Sequence, residues 1–171
     1  ASAGIKPVVV ASSAQLCQLS QAGREATLSE IADYCLLAQQ LGAPLVRVFG
    51  GNPAEGATEA KALEAAQLTL RQAEVFAASY KVKLALETHD FFITGKRVGR
   101  VLAAGNPETS CALWDMHHPW RAGVVPWHMT PNEEKSSCLE VMVHNTLPVQ
   151  GWGIPGNTTA PTGSKPAPPA L

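Results

Sequence analysis

Residues 82–90 read Val82-Lys83-Leu84-Ala85-Leu86-Glu87-Thr88-His89-Asp90. The stretch is short, mostly apolar and bounded by polar residues, which predicts a buried β-strand ending at Glu87. Successive side chains of a strand point to opposite faces. Val82, Leu84 and Leu86 therefore share one face, and Lys83, Ala85 and Glu87 the other. A carboxylate at the end of a buried strand, with an imidazole two residues on, is where a site is expected in an α/β protein.

Outward from this strand the chain alternates between helix and strand. Before it, a long helix is predicted from about residue 55 to 80, because Leu63, Ala66, Leu70, Ala73 and Ala77 recur at helical spacing on one face. Earlier still, Leu45-Val46-Arg47-Val48-Phe49 reads as a strand ended by Gly50-Gly51. A helix capped by Thr27 or Ser29 and running to about Leu41 precedes it, with Ile31, Cys35 and Ala38 as its apolar stripe and Gly42 as its stop. Val8-Val9-Val10-Ala11 is a first strand, closed by Ser12-Ser13. After residue 90, a shorter helix fits residues 96–104, with Gly105-Asn106-Pro107 as its stop. Cys111-Ala112-Leu113-Trp114-Asp115 is the next strand. Such alternation predicts βαβ units and a parallel sheet. It leaves two outcomes open, a doubly wound sheet or a barrel.

Alternation also sorts the polar residues. Arg47, Glu87 and Asp115 fall on one common face of the sheet, and the opposite face, mainly Val, Leu and Trp, is expected to pack on helices. Glu87 and Asp115 both close their strands. Two carboxylates placed there repel each other unless a cation or proton intervenes. Imidazoles follow each one, in Thr88-His89-Asp90 and Met116-His117-His118. Carboxylate oxygen plus imidazole suits Mn, Mg, Co or Zn. The alternative is a pair of carboxylates satisfied by Arg47, Lys83 or backbone N–H groups.

Three motifs carry a resemblance. Residues 41–51, Leu41-Gly42-Ala43-Pro44-Leu45-Val46-Arg47-Val48-Phe49-Gly50-Gly51, look like a strand of the xylose-isomerase-like sugar phosphate isomerase/epimerase superfamily. Leu86-Glu87-Thr88-His89-Asp90 resembles the strand that carries that family's first metal glutamate. Leu113-Trp114-Asp115-Met116-His117-His118-Pro119 resembles its D-x-x-H strand. The match covers roughly residues 5–123.

The resemblance implies an α/β fold, a parallel (β/α) barrel of TIM type. It also implies that the barrel is incomplete: the strands correspond to roughly the third through sixth of eight, with residues 139–143 as a candidate seventh. By the same comparison a divalent metal ion (Mn, Mg, Co or Zn) would be held by Glu87 and Asp115. Glu87 and His118 would be the catalytic residues, and Arg47, His89, His117 and His118 would contact a small sugar or polyol substrate. The family's further ligands, a His on the seventh strand and a Glu on the eighth, are not matched in place. His144, in Met142-Val143-His144-Asn145-Thr146, is the candidate for the first, displaced by two positions, and Val124 stands where a Glu commonly follows the glycine matched by Gly123.

The implied activity is metal-dependent isomerisation or epimerisation of a sugar or sugar phosphate, by proton transfer beside a carbonyl, impaired here by the missing ligands. The alternatives are a non-catalytic barrel remnant, a polyol dehydratase, or an abasic-site endonuclease of the same superfamily.

Composition narrows the field. With 171 residues, 46% apolar and a net charge of −1, the chain has material for one core and no electrostatic footprint for nucleic acid or an anionic membrane. No run approaches the roughly 18 apolar residues of a spanning helix. No signal peptide is visible, and the absence of an initiator Met suggests a processed or truncated chain. Cys17, Cys35, Cys111 and Cys138 are widely spaced, so buried thiols in a reducing cytoplasm are expected rather than disulfides or a zinc knuckle. Residues 1–150 are expected to form the partial barrel. Residues 151–171, rich in Pro, Gly, Thr and Ala, are expected to be a disordered tail, with the change after Gly123 reflecting a disrupted reading frame. The open sheet edges of a partial barrel would favour self-association into a homo-oligomer.

Overall fold

The computed structural model describes residue 4 and residues 6–115, 117–123 and 139–140. The expected tail over residues 151–171, Cys138 and His144 lie outside the described residues. Strands and helices alternate as β1 (Val9–Gln15), α1 (Gln21–Leu41), β2 (Leu45–Phe49), α2 (Glu59–Tyr80), β3 (Lys83–Glu87), a 3-10 turn (Asp90–Phe92), α3 (Gly95–Leu102), β4 (Ser110–Leu113), α4 (His117–Arg121) and β5 (Leu139–Glu140). Among the described residues no helix is long and apolar enough to cross a membrane.

The strands form one parallel sheet in the order β1-β2-β3-β4-β5. This order decides between the two outcomes left open by the sequence. A doubly wound sheet reverses its strand order at a switch point, whereas a (β/α) barrel adds each new strand to the same edge. The chain does the latter, and its helices line a single face. Helix α1 packs on β1 and β2, α2 on β3 and on α1, and α3 on β4 and on α2. The fold is α/β, an arc of a TIM-type barrel.

The two faces of the sheet have separate cores, as alternation requires. Val46, Val48, Leu84, Leu86 and Ala112 join Ile31, Cys35 and Ala38 of α1, the alanine-rich face of α2, and Val98 and Val101 of α3. Leu45, Ala85, Cys111 and Leu113 form a second cluster that contains strand residues alone. That cluster floors the end of the sheet where Arg47 and Glu87 emerge.

Three sequence expectations need correction. Helix α1 begins at Gln21, with Ser20 as its cap, and not at Thr27 or Ser29. Its first six residues are exposed or half-buried, so no apolar stripe announces them. Thr27 instead faces the core and donates to the Gln15 carbonyl at 3.4 Å. Strand β1 does not close at Ser12-Ser13 but continues to Gln15 through a bulge. Strand β4 ends at Leu113, so Asp115 lies two residues beyond it.

Candidate active site

Glu87 is the last residue of β3, level with Phe49 on β2 and Leu113 on β4. Its residue is only 3% exposed. Arg47, two residues before Phe49 and on the same face, sends Nη1 to within 3.3 Å of Glu87 Oε2. The guanidinium also lies 4.3 Å from the centre of the Phe49 ring and donates through Nη2 to the Ser12 carbonyl at 2.8 Å. The β1 bulge makes this last bond available. Ala11 pairs with Arg47 and Gln15 with Phe49, so three residues of β1 stand opposite a single residue of β2. Ser12 Oγ returns the contact by donating to the Arg47 carbonyl at 2.7 Å. Arg47 Nε is buried with no partner among the described residues.

Asp115 is held by a different set of groups. Its backbone N–H donates to Thr88 Oγ1 at 2.9 Å, and Oδ1 accepts from the His117 N–H at 2.7 Å. Oδ2 lies 3.5 Å from His118 Nε2. His118, in the first turn of α4, faces His89, just past the end of β3, Nε2 to Nε2 at 3.1 Å. His89 stacks against Phe49, ring centres 4.8 Å apart, and its Nδ1 lies 2.9 Å from Asp90 Oδ1. The His117 ring is 5.2 Å from that of His118.

Glycine makes this crowding possible at one place. A Cβ on Gly50 would overlap the fully buried Phe92 ring, which roofs the strand-to-loop turn of β2.

Six of the residues singled out in the sequence, Arg47, Glu87, His89, Asp115, His117 and His118, therefore sit at one end of the sheet, joined by two chains of contacts. One runs from Ser12 through Arg47 to Glu87, and the other from Asp115 through His118 to His89. Two participants escaped the sequence reading, Ser12 and Thr88. Thr88 follows the carboxylate directly, and a buried hydroxyl past a strand end is the signal that was available.

The profile of the xylose isomerase-like TIM barrel family matches residues 1–126. The chain belongs to this family. No curated protein matches it by sequence. Among solved structures, this xylose isomerase-like arc is similar to a D-tagatose 3-epimerase-like protein, with a TM-score of 0.61 and 21% identity over 68% of this chain and 47% of that one. It is similar also to the 3-keto-D-glucoside 4-epimerase YcjR from E. coli, with a TM-score of 0.60 and 14% identity over 68% and 50%. A third is the IOLI protein with a bound zinc atom, with a TM-score of 0.59 and 17% identity over 64% and 41%. The chain spans about half or less of the length of each of these structures.

Among the described residues of this family member, no three His, Cys, Asp or Glu side chains gather closely enough to hold a metal ion by themselves. The chemistry of the two carboxylates nevertheless fits a hard cation. Both are buried, Glu87 at the end of β3 and Asp115 two residues past the end of β4, and among the described residues the one ion pair of Arg47 is to Glu87. Buried carboxylates need charge compensation, and that of Asp115 among the described residues consists of one backbone N–H and a nearby imidazole.

Proposed function

We propose that this chain carries part of the active site of a metal-dependent sugar or sugar-phosphate isomerase/epimerase. The observation that supports it most is the pair of buried carboxylates, Glu87 at the end of β3 and Asp115 just past the end of the neighbouring β4, with imidazoles in the segments that follow them. The strands would be roughly the third to sixth of the full barrel. Glu87 and Asp115 would hold a divalent ion (Mn, Mg, Co or Zn), with His144 as a further candidate ligand. When bound, the ion supplies Lewis-acid polarisation of the sugar carbonyl. Similar structures named for epimerases of tagatose and of a ketoglucoside, and one holding zinc, accord with this reading.

In this reading the residues divide the work. Glu87 moves a proton at the carbon beside the carbonyl. Arg47 fixes the direction of the Glu87 carboxylate, through one oxygen. His118 and His89 bind hydroxyl groups of the open-chain sugar, exchanging the Nε2 contact they make with each other for contacts to substrate. His117 borders the same space. Cys17 and Cys35, buried and without a disulfide, suit a reducing, cytoplasmic setting.

The described residues supply Glu87 as the carboxylate for proton transfer, whereas transfer on both faces of the carbon needs two. Exchange by this chain alone is therefore expected to be slow, and Mn affinity no tighter than about micromolar. The test is Mn binding by calorimetry, with solvent-deuterium exchange at the carbon beside a ketose carbonyl. Binding that disappears in Glu87→Gln and Asp115→Asn supports the proposal. Binding unaffected by either substitution, or fast exchange that persists in Glu87→Gln, refutes it.

A further inference from the structure

The β3–β4 ladder ends with Glu87 opposite Leu113, and the Thr88 N–H adds one more bond, to the Leu113 carbonyl at 3.0 Å. Beyond that the two chains diverge. The 3-10 turn takes one away, with Asp90 in the left-handed region at φ 51°, and α4 takes the other. Asp115 lies in this diverging segment, where no strand pairing fixes it. A carboxylate on such a segment would be poorly placed to act together with Glu87, which is anchored in the sheet.

The Thr88 side chain bridges this gap. Its Oγ1 accepts from the Asp115 N–H at 2.9 Å and donates to the Asp115 carbonyl at 3.3 Å. One hydroxyl thus satisfies both backbone polar groups of the same residue, as a partner strand would do. Thr88 and Asp115 are each only 3% exposed, so water does not compete for these bonds. The β-branched Cβ restricts the hydroxyl to few rotamers, which keeps the bridge rigid. Further out, the His117 N–H fixes the carboxylate through Oδ1 and leaves Oδ2 turned toward His118.

We propose that Thr88 is a positioning residue whose hydroxyl extends the β3–β4 ladder by side chain and sets Asp115 at the register in which it acts together with Glu87. The proposal rests on the reading of Asp115 as a metal ligand. Removing the hydroxyl while keeping the shape, in Thr88→Val, frees the Asp115 backbone to move. Outer-shell partners of metal ligands typically change affinity by about 10–100-fold.

The experiment compares Thr88→Val, Thr88→Ser and Asp115→Asn with the unaltered chain. Mn affinity is measured by calorimetry at a temperature where circular dichroism shows each variant folded, and Asp115 amide exchange by NMR. Thr88→Val should weaken Mn binding at least about tenfold and expose the Asp115 amide. Thr88→Ser should restore both. A purely structural role would lower the melting temperature and leave the affinity of the folded protein unchanged, and that result overturns the proposal. If Asp115→Asn abolishes binding while Thr88→Val does not weaken it, Thr88 loses its role and the functional reading stands. If Asp115→Asn binds Mn normally, or the unaltered chain binds none, both fall. Should Thr88→Val not fold, Thr88→Ala and Thr88→Ser form the same hydroxyl-minus and hydroxyl-plus pair.

Discussion

His89 and His118 face each other through their Nε2 atoms at 3.1 Å, although 29 positions separate them in the chain. The contact ties the segment after β3 to the start of α4 and so joins the surroundings of Glu87 to those of Asp115. Two ring nitrogens at that distance share one proton, because a bare pair would repel and a doubly protonated pair would too. The neighbouring carboxylates choose its owner. Asp90 Oδ1 lies 2.9 Å from His89 Nδ1, off the line of a hydrogen bond but near enough to favour a proton on that nitrogen. Asp115 Oδ2, 3.5 Å from His118 Nε2, favours a proton there.

The expected tautomers follow. His89 should carry its proton on Nδ1 and accept at Nε2, and His118 should donate from Nε2. Long-range nitrogen–proton NMR spectra of the histidine rings distinguish these states directly. Opposite tautomers, with His89 protonated at Nε2, would show that the two carboxylates do not orient the pair. His118→Asn should then leave the His89 tautomer unchanged, because Asp90 remains in place.

Arg47 is expected to matter to stability as well as to the site. Its partner Glu87 is 3% exposed, and the guanidinium also bonds the Ser12 carbonyl at the β1 bulge. Arg47→Met strands a buried carboxylate and one carbonyl. Breaking a buried pair from one side typically costs about 3–5 kcal/mol. Urea denaturation should show a loss of that order, and Arg47→Met combined with Glu87→Gln should recover part of it. A loss in the double variant equal to the sum of the losses in Arg47→Met and Glu87→Gln would mean that the pair contributes nothing beyond its separate members.

Much of this arrangement was legible in the sequence because strand alternation has a fixed period. Arg47 and Glu87 could be assigned to one face, and Val46, Val48, Leu84 and Leu86 to the other, with no knowledge of topology. What alternation could not supply was strand order, since βαβ units build both open sheets and barrels. Polar residues inside elements hid the rest. Ser12 reads as a strand terminator, yet it continues β1 because its hydroxyl bonds the Arg47 carbonyl. The start of α1 is hidden because residues 21–26 are exposed or half-buried and carry no apolar stripe, while Ser20 caps them by accepting from the Gly23 N–H at 3.1 Å. Thr88 was passed over because its partners, the backbone groups of Asp115, lie 27 residues on.

Gly50 should tolerate no side chain. Its carbonyl accepts from the Cys17 N–H at 2.9 Å, so the backbone cannot shift away, and an added Cβ would stand 2.7 Å from Phe92 Cβ and closer still to the ring. Overpacking of this kind costs about 1–3 kcal/mol. Gly50→Ala should lower the denaturation midpoint accordingly. In a Phe92→Ala background, already destabilised by the lost ring, the same substitution should cost little further. Full additivity of the two changes would place the clash elsewhere.

Cys35 gives a prediction about alkaline stability whose sign can be worked out. Burial between α1 and the sheet pushes its thiol up from 9.0 to about 11. The native state therefore keeps its proton in a range where the unfolded chain has released it. Stability contributed by the protonated thiol is complete below about pH 9 and is lost as pH rises toward about 11. Burial raises the Cys17 thiol as well, with the same sign. Unfolding free energies measured by urea from pH 8 to above 10 should fall more steeply for the unaltered chain than for Cys35→Ala, by at most about 1.4 kcal/mol per pH unit. The comparison rests on slopes, so the small cavity left by alanine, which shifts all points alike, does not disturb it. Native Cys35 should also react slowly with a thiol reagent at pH 8, because little thiolate is present and the residue is fully buried. Parallel slopes for the two proteins, or rapid modification in the folded state, would mean that the α1–sheet core opens readily enough to hydrate this thiol.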